Sequence, residues 1–232
     1  MNRILFKLSG EALANKSGDI YDMSFVDEVA GALKKCVDEG NQIAVVVGAG
    51  NIWRGRQGTD MDRTTADRMG MLATVINSLC LKDALVRKGA KASVMTAVPM
   101  TPFADEYSAE EAVRRLECGE IVIFGAGLGI PFLSTDTAGA VRATEISADA
   151  MFMAKNIDYI YDDDPMKNKN AKKYETIKAS EVLAKNLKAI DATATAFCMS
   201  NKMPIRVFGL KEPEDIVKAV KGQSQGTVVT AE

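Results

Sequence analysis

Short apolar runs alternate with longer stretches of helical spacing along most of the chain. The runs at 4–8, 43–47, 121–124 and 150–154 are almost continuously apolar, which is typical of strands buried on both faces of a parallel sheet. Further strands are predicted at 92–98, 159–161, 205–210 and 227–230. Helices are predicted at about 24–37, 69–87, 109–118 and 135–146, and then from about Ser180, Asp191 and Pro213. This order predicts an α/β fold with a mainly parallel sheet and helices on both of its faces.

Composition restricts the class of protein. The chain has 232 residues, which favours one large domain or one domain with two lobes. Apolar residues make up 47% and charged residues 26%, so a disordered, fibrous or coiled-coil chain is excluded. The net charge of −2 argues against a nucleic-acid binder. The sequence contains no histidine, so catalysis must rely on other side chains and on backbone N–H groups.

The cysteines and the apolar runs indicate a compartment. Four cysteines stand at positions 36, 80, 118 and 198, too far apart in sequence for a zinc site. Cys36 and Cys80 fall in apolar helical patterns and are predicted to be buried thiols. No signal-peptide pattern is visible, and every apolar run is much shorter than the roughly 18 residues of a membrane span. A cytosolic protein with reduced thiols, not bound to a membrane, is expected.

Three loops that directly follow predicted strands are rich in small residues. They are 7–10 (Lys-Leu-Ser-Gly), 48–51 (Gly-Ala-Gly-Asn, with Arg54 close behind) and 125–129 (Gly-Ala-Gly-Leu-Gly, which leads to Asp136). Ligands of open α/β sheets bind outside the carboxyl ends of the strands. Small residues let the backbone N–H groups approach an anion there. Three such loops, with Lys7 and Arg54 for charge, predict a polyphosphate ligand.

Each of these features also has a purely structural interpretation. A glycine pair after a strand is often only a tight turn, and Lys7 could be an edge-strand lysine that reaches solvent. Asp136 could only complement a helix dipole, and the acidic run 162–164 could be a solvated turn. Two familiar phosphate motifs are missing: there is no GxxxxGK[ST] loop, and the segment that begins at Gly48 lacks the third glycine of the dinucleotide fingerprint.

Several ordered segments resemble one family. The run 7–13 (KLSGEAL) is similar to the N-terminal signature of the bacterial uridylate (UMP) kinases, a branch of the amino acid kinase family. The segment 48–51 with Arg54 and Gly55 resembles the second glycine loop of that family, and 67–74 (DRMGMLAT) is the most specific match. The segments 127–136, 158–165 and 204–208 also match, so the resemblance runs nearly from end to end.

The resemblance implies a fold and a set of site residues. The fold is a three-layer αβα sandwich in a single amino acid kinase domain, 1–232, with an N-terminal lobe of about 1–150 for UMP and a C-terminal lobe of about 151–232 for ATP. The catalytic residues implied are Lys7, Asp136 and Arg54. The ATP-binding residues are Lys7, Leu8, Ser9, Gly10, Gly50, Arg54, Lys155, Tyr161 and Asp164. The UMP-binding residues are Ala49, Asp67, Leu128, Gly129, Ile130, Pro131, Phe132, Leu133, Ser134 and Thr135.

Two positions depart from the family pattern. Ala49 stands where a third glycine is common, and alanine is tolerated there if its φ is negative but strained if φ is positive. Lys155 stands where threonine is common, and it could meet the ATP phosphates or face solvent.

The activity that the resemblance implies is transfer of a phosphoryl group from ATP to UMP, in pyrimidine nucleotide biosynthesis. A UMP phosphate oxygen needs no general base, because the second pKa of a phosphate is about 6. Mg²⁺ carried by ATP is expected as the cofactor, without a metal site made by the protein. The alternatives are a sibling kinase that acts on a carboxylate or carbamate, and a relative that binds ligands without catalysis. The resemblance also implies a homohexamer with GTP as activator and UTP as inhibitor.

Overall fold

The computed structural model describes residues 2–14, 19–53 and 60–231, and these residues form eleven strands and seven α-helices. The strands are β1 (Arg3–Leu8), β2 (Gln42–Val47), β3 (Ala92–Thr96), β4 (Asp105–Glu106), β5 (Ile121–Gly125), β6 (Ala150–Lys155), β7 (Ile160–Tyr161), β8 (Lys173–Tyr174), β9 (Thr176–Lys178), β10 (Ile205–Gly209) and β11 (Thr227–Thr230). The helices are α1 (Met23–Asp38), α2 (Arg63–Arg87), α3 (Ala109–Glu117), α4 (Thr135–Glu145), α5 (Ala179–Ala184), α6 (Ala192–Ser200) and α7 (Glu214–Val220), with a 3-10 helix at Gly10–Leu13.

Nine strands form one sheet, in the order β4-β3-β5-β2-β1-β6-β10-β11-β9, while β7 and β8 pair separately. Within the described part of this sheet only β10 and β11 pair antiparallel. β1 lies in the middle, with Lys7 aligned to Val46 on β2 and to Met153 on β6. Because parallel strands need crossover connections, helices cover both faces. The predicted αβα sandwich with a mainly parallel sheet is confirmed.

The side chains of β1 alternate between the two faces of the sheet, as the period of two in a strand requires. Ile4, Phe6 and Leu8 pack into the core that α1, α2 and α7 cover. Leu5 packs into the opposite core, with Val46 and residues of α3, α4, α5 and α6. Lys7 has the same parity as Leu5, so its side chain leaves the strand on the side that α4 covers.

The helix α2 begins six residues earlier than predicted. Its first residue is Arg63, and the side chain of Asp62 caps it by accepting a hydrogen bond from the Thr65 N–H at 2.9 Å. The first turns are polar and show no apolar period, which explains the error. Asp67 therefore lies inside the helix and not before it. Cys80, predicted to be buried, is only partly buried on this helix, whereas Cys36 is fully buried as expected.

The other differences concern short strands. β4, β8 and β9 were not predicted, because runs of two or three mostly exposed residues carry no measurable periodicity. The strand predicted at 92–98 ends at Thr96.

The length and composition of α2 would allow it to cross a membrane, although polar residues interrupt its apolar runs. However, 44% of its most apolar stretch is buried inside the protein. It packs on α1, β3 and β5, as a core helix does.

The aromatic cluster of Phe6, Phe152 and Phe208 should contribute strongly to stability. The rings of Phe6 and Phe152 meet edge to face with centroids 5.4 Å apart, and all three side chains are fully buried. Phe152→Ala should lower the free energy of unfolding by about 3–5 kcal/mol, because it leaves a cavity in the core. Phe103→Ala is the control, since Phe103 is 67% exposed and its loss should change little. Urea denaturation measures both, and equal effects would contradict the prediction.

Candidate active site

Lys7 is a buried cation in the central strand, with only 7% of the residue exposed. Its Nζ lies 2.8 Å from Oδ1 of Asp136. A buried ammonium group is costly without an anionic partner, and Asp136 supplies that partner. The interpretation of Lys7 as an edge-strand lysine that reaches solvent is therefore wrong.

Asp136 reaches Lys7 from the first turn of α4. The Ser134 side chain caps this helix by accepting a hydrogen bond from the Thr137 N–H at 3.2 Å. The second carboxylate oxygen of Asp136 accepts a hydrogen bond from Nζ of Lys155, at the end of β6, at 3.0 Å. The Lys155 side chain is only 20% exposed, so it does not extend into solvent. One carboxylate thus holds two ammonium groups, and this cluster (Lys7, Asp136 and Lys155) carries a net charge of about +1 at neutral pH.

The pKa values reflect this arrangement. Burial favours the neutral form of Asp136, but the charges of Lys7 and Lys155 outweigh it and lower the pKa of that carboxyl from 3.8 to about 2. Burial lowers the pKa of the Lys155 ammonium group, and the charge of Asp136 opposes that effect. The excess positive charge of the cluster is suited to an anionic ligand.

The loops that follow β1 and β2 approach each other closely beside this cluster. A Cβ atom on Gly10 would lie 2.5 Å from the carbonyl oxygen of Gly48, so only glycine fits at position 10. A Cβ atom on Gly50 would lie 3.1 Å from the side chain of Glu11. The non-glycine residues with positive φ in the described chain are Ala126, Phe132, Ser147, Asn186 and Lys202. Ala49 is not one of them, so alanine is accommodated there without backbone strain.

A cavity of about 410 Å³ opens over the cluster. Lys7, Asp136 and Lys155 line it, together with Lys188 and Asp191. A neighbouring cavity of about 480 Å³ is lined by Tyr161 and Asp164, and residues 186–188 line both cavities.

The other described residues predicted to bind ATP are not found among the lining residues of these two cavities. Leu8 is fully buried in the core, and Ser9, Gly10 and Gly50 do not line these two cavities. Arg54 lies outside the described residues. Lys188 and Asp191 were not predicted as site residues, although Asp191 was recognised as the start of a helix.

A third cavity, of about 190 Å³, lies on the other side of Ser134. Seven of the ten residues predicted for UMP line it, namely Ala49, Asp67, Leu128, Ile130, Leu133, Ser134 and Thr135. Gly129, Pro131 and Phe132 do not line this cavity. The residues that the sequence analysis missed are Trp53, Arg63, Ala66, Gly70, Met71, Thr74 and Gly127. Five of these lie on α2 at helical spacing with Asp67, so an earlier start of the predicted helix would have revealed the face they share.

The carboxylate of Asp67 accepts hydrogen bonds from other residues of the protein. Nε of Arg63 lies 2.9 Å from both of its carboxylate oxygens, and the backbone N–H of Phe132 donates to Oδ2 at 2.8 Å. The guanidinium of Arg63 also stacks over the Phe132 ring at 5.3 Å. Asp67 therefore ties α2 to the loop 126–134. Its role in binding UMP stays a prediction.

Asp191 connects the start of α4 to the start of α6. Its Oδ2 accepts hydrogen bonds from the hydroxyls of Ser134 and Thr137, the latter at 2.7 Å, and its Oδ1 caps α6 by accepting from the Thr193 N–H at 3.1 Å. This bridge holds the helix end that carries Asp136.

Fold and site together define a class of protein: an αβα sandwich in which a cationic cluster at the carboxyl edge of the sheet lines one of two cavities that share Ser134. Comparison with known proteins agrees, because residues 2–209 match the model of the amino acid kinase family. The chain belongs to the amino acid kinase family.

Solved structures of UMP kinases are similar over the whole chain. The UMP kinase from Bacillus anthracis is 35% identical, with a TM-score of 0.95 over 100% of this chain and 96% of that one. The UMP kinase from Ureaplasma parvum is 37% identical, with a TM-score of 0.94 over 99% and 98%. The uridylate kinase from Archaeoglobus fulgidus is 26% identical, with a TM-score of 0.73 over 97% and 99%.

The depressed pKa of Asp136 predicts a pH dependence of stability. Because its pKa is lower in the folded state than in the unfolded state, the ionised carboxylate stabilises the fold above about pH 4. This contribution, about 2 kcal/mol, should be lost as the pH falls from about 4 to about 2. The difference in free energy of unfolding between wild type and Asp136→Asn should therefore shrink over that range in urea denaturation. Asp38→Asn, at an exposed ion pair with Lys34, is the control and should show little change. A difference that stays constant down to about pH 2 would contradict the assignment.

Proposed function

We propose that this protein transfers the γ-phosphoryl group of ATP to UMP and forms ADP and UDP. The observation that carries the proposal is the cationic cluster of Lys7, Asp136 and Lys155, which lines one of two cavities that share Ser134. The full-length similarity to UMP kinases at 35% and 37% identity supports UMP as the acceptor.

We place the ATP phosphates in the 410 Å³ cavity and the adenosine in the adjoining cavity with Tyr161 and Asp164. UMP occupies the cavity between α2 and the loop 126–134, which Ala49 and Thr135, the residue before Asp136, also line. On this assignment the N-terminal part of the chain supplies most of the acceptor site, and the C-terminal part supplies most of the donor site.

The chemistry follows from charge. An oxygen of the UMP phosphate forms a bond to the γ-phosphorus of ATP, and the bond from that phosphorus to the β,γ-bridging oxygen breaks, so ADP leaves with the electron pair. The attacking oxygen is already deprotonated at neutral pH, since a phosphate has a second pKa of about 6. The main barrier is the approach of two anions, and catalysis rests on positioning and on fixed positive charge.

Each charged residue has its own role in this reaction. Lys7 and Lys155 donate hydrogen bonds to the phosphoryl oxygens, where negative charge is shared in the transition state. Asp136 does not touch the phosphoryl group; it holds both ammonium groups and limits their mutual repulsion. Arg54, outside the described residues, is proposed to contact phosphates at the point of transfer.

Mg²⁺ is proposed to arrive with ATP and to neutralise phosphate charge. Among the described residues no group of three or more acidic or cysteine side chains is arranged to hold a metal ion. Asp136, the carboxylate that faces the ATP cavity from α4, already binds a lysine with each oxygen. Mg²⁺ commonly keeps phosphate oxygens and waters as most of its ligands, which fits such a site.

The biological setting is also proposed. The product UDP places the enzyme in pyrimidine nucleotide biosynthesis. The four cysteines are unpaired, which fits the reducing cytoplasm. A homohexamer is consistent with the exposed apolar side chains Leu72, Ile76 and Val86, which all lie on α2. Activation by GTP and inhibition by UTP are proposed from the family resemblance alone.

A panel of acceptors tests the proposal. With ATP as donor, UMP should give the highest kcat/KM in a coupled assay of ADP release. CMP should be poorer, because replacing a carbonyl by an amino group leaves a buried polar group unpaired at a cost of about 1–3 kcal/mol, or roughly 5- to 150-fold. Turnover of aspartate, acetylglutamate or carbamate instead of UMP would favour a sibling kinase. No turnover of any acceptor, with nucleotide binding retained, would favour a protein that binds without catalysis.

The charge assignment predicts the effect of Lys7→Met. The kcat for UMP phosphorylation should fall by about 10²–10³, as expected for the loss of one preorganised charge stabiliser. The KM for UMP should change little, since Lys7 faces the ATP phosphates. Lys35→Met is the matched control, because Lys35 is an exposed lysine that also pairs with a carboxylate, Glu214, at 2.9 Å. Equal kcat values for Lys7→Met and wild type would exclude a catalytic role.

A further inference from the structure

A fully buried amide on α2, that of Asn77, lies against the loop that follows β2. Its Nδ2 donates hydrogen bonds to the carbonyl oxygen of Gly48 at 2.7 Å and to Oδ1 of Asn51 at 2.8 Å. Its Oδ1 accepts from the hydroxyl of Tyr21 at 2.7 Å and from Nδ2 of Asn51 at 3.2 Å. All four hydrogen-bonding positions of the amide are therefore used. Such a fully satisfied buried network specifies one arrangement of the groups it joins.

The contact with Gly48 determines which way the amide of Asn77 and the Gly48–Ala49 peptide are oriented. A carbonyl oxygen cannot donate, so the group of Asn77 that faces it must be the NH₂. The Gly48–Ala49 peptide is trans, because the one cis bond in the described chain is Thr101–Pro102. In a trans peptide the C=O and N–H bonds point in opposite directions. Because the carbonyl oxygen of Gly48 points toward Asn77, the N–H of Ala49 points away from the Asn77 side chain.

The same network supports the loop that follows β1. A Cβ atom on Gly10 would lie 2.6 Å from Oδ1 of Asn51, so the Gly10 backbone rests directly on this amide. Nδ2 of Asn51 also donates to the carbonyl oxygen of Ile20 at 3.0 Å. Burial raises the pKa of Tyr21 to about 12, so its hydroxyl remains a donor at neutral pH. The two glycine loops beside the cationic cluster are thus held by side chains that line none of the three cavities described above.

We infer that Asn77 is a positioning residue for phosphoryl transfer, which sets the two glycine loops at Gly10 and Gly48 through its amide. The inference rests on the proposed function. Asn77 touches neither substrate in this arrangement; it acts through the backbone of the loops. A displacement of about 1 Å at such a site can reduce the rate by about a hundredfold.

The test uses Asn77→Leu, which keeps the approximate volume and removes both donors. Assayed well below the melting temperature of every variant, its kcat should fall at least about tenfold while the KM for ATP changes less than about threefold. Ser78→Ala is the matched control: Ser78 is the next residue on α2, is also fully buried, and donates at 2.8 Å to Thr74 within the same helix. Ser78→Ala should keep kcat within about twofold of wild type, whatever its melting temperature.

The outcomes separate the possibilities. If Asn77→Leu melts at a lower temperature but keeps the wild-type kcat, Asn77 is only structural and the inference is overturned. If Asn77→Leu does not fold, Asn51→Ala replaces it, since Asn51 is partly exposed; an unchanged kcat in that variant also overturns the inference. If wild type itself does not phosphorylate UMP, the proposed function fails. The crystal structure of Asn77→Leu then decides: a displaced Gly48–Ala49 peptide supports the positioning role, and an unmoved one refutes it.

Discussion

The ion pair between Lys7 and Asp136 is the constraint on which the site depends. A buried ammonium group in the central strand of a sheet is unfavourable unless a carboxylate reaches it. That requirement places the first turn of α4 over the end of β1, and the cap at Ser134 and the bridge through Asp191 hold it there. Lys155 adds a second ammonium group to the same carboxylate, so the cluster keeps an excess positive charge. A neutral buried pair would offer much less to an anionic ligand.

The loops that follow β1, β2 and β5 form the surroundings of this cluster. Gly10 and Gly48 pack so closely that no side chain fits at position 10, and the amides of Asn51 and Asn77 fill the space behind them. Asp67, with Arg63, fastens the loop 126–134 to α2 on the opposite side. Each of the loops after β1, β2 and β5 is therefore held by polar contacts that lie outside the cationic cluster. Such support is what positions charged groups accurately enough for phosphoryl transfer.

The errors of the sequence analysis have definite physical causes. The start of α2 was missed because its first two turns are polar, and Arg63 and Ala66, which line a cavity there, were missed with it. The short strands β4, β8 and β9 have too few buried positions for a pattern to appear. Cys80 was expected to be buried because it falls in an apolar helical pattern, but it lies on the partly exposed side of the helix.

The sequence by itself determined the class of fold, since continuous apolar strands separated by helical stretches can bury both faces of a sheet only in a layered arrangement. It also determined that small residues and charges follow the strands 4–8, 43–47 and 121–124, and hence the edge where a ligand is predicted to bind. Only the tertiary structure decided which charges meet. Lys155 lies 19 positions after Asp136 in sequence, yet the order β1-β6 in the sheet brings it to the same carboxylate as Lys7. It likewise decided the partners of Asn77 and Asp191, because such contacts depend on how distant elements pack, which local patterns along the chain do not encode.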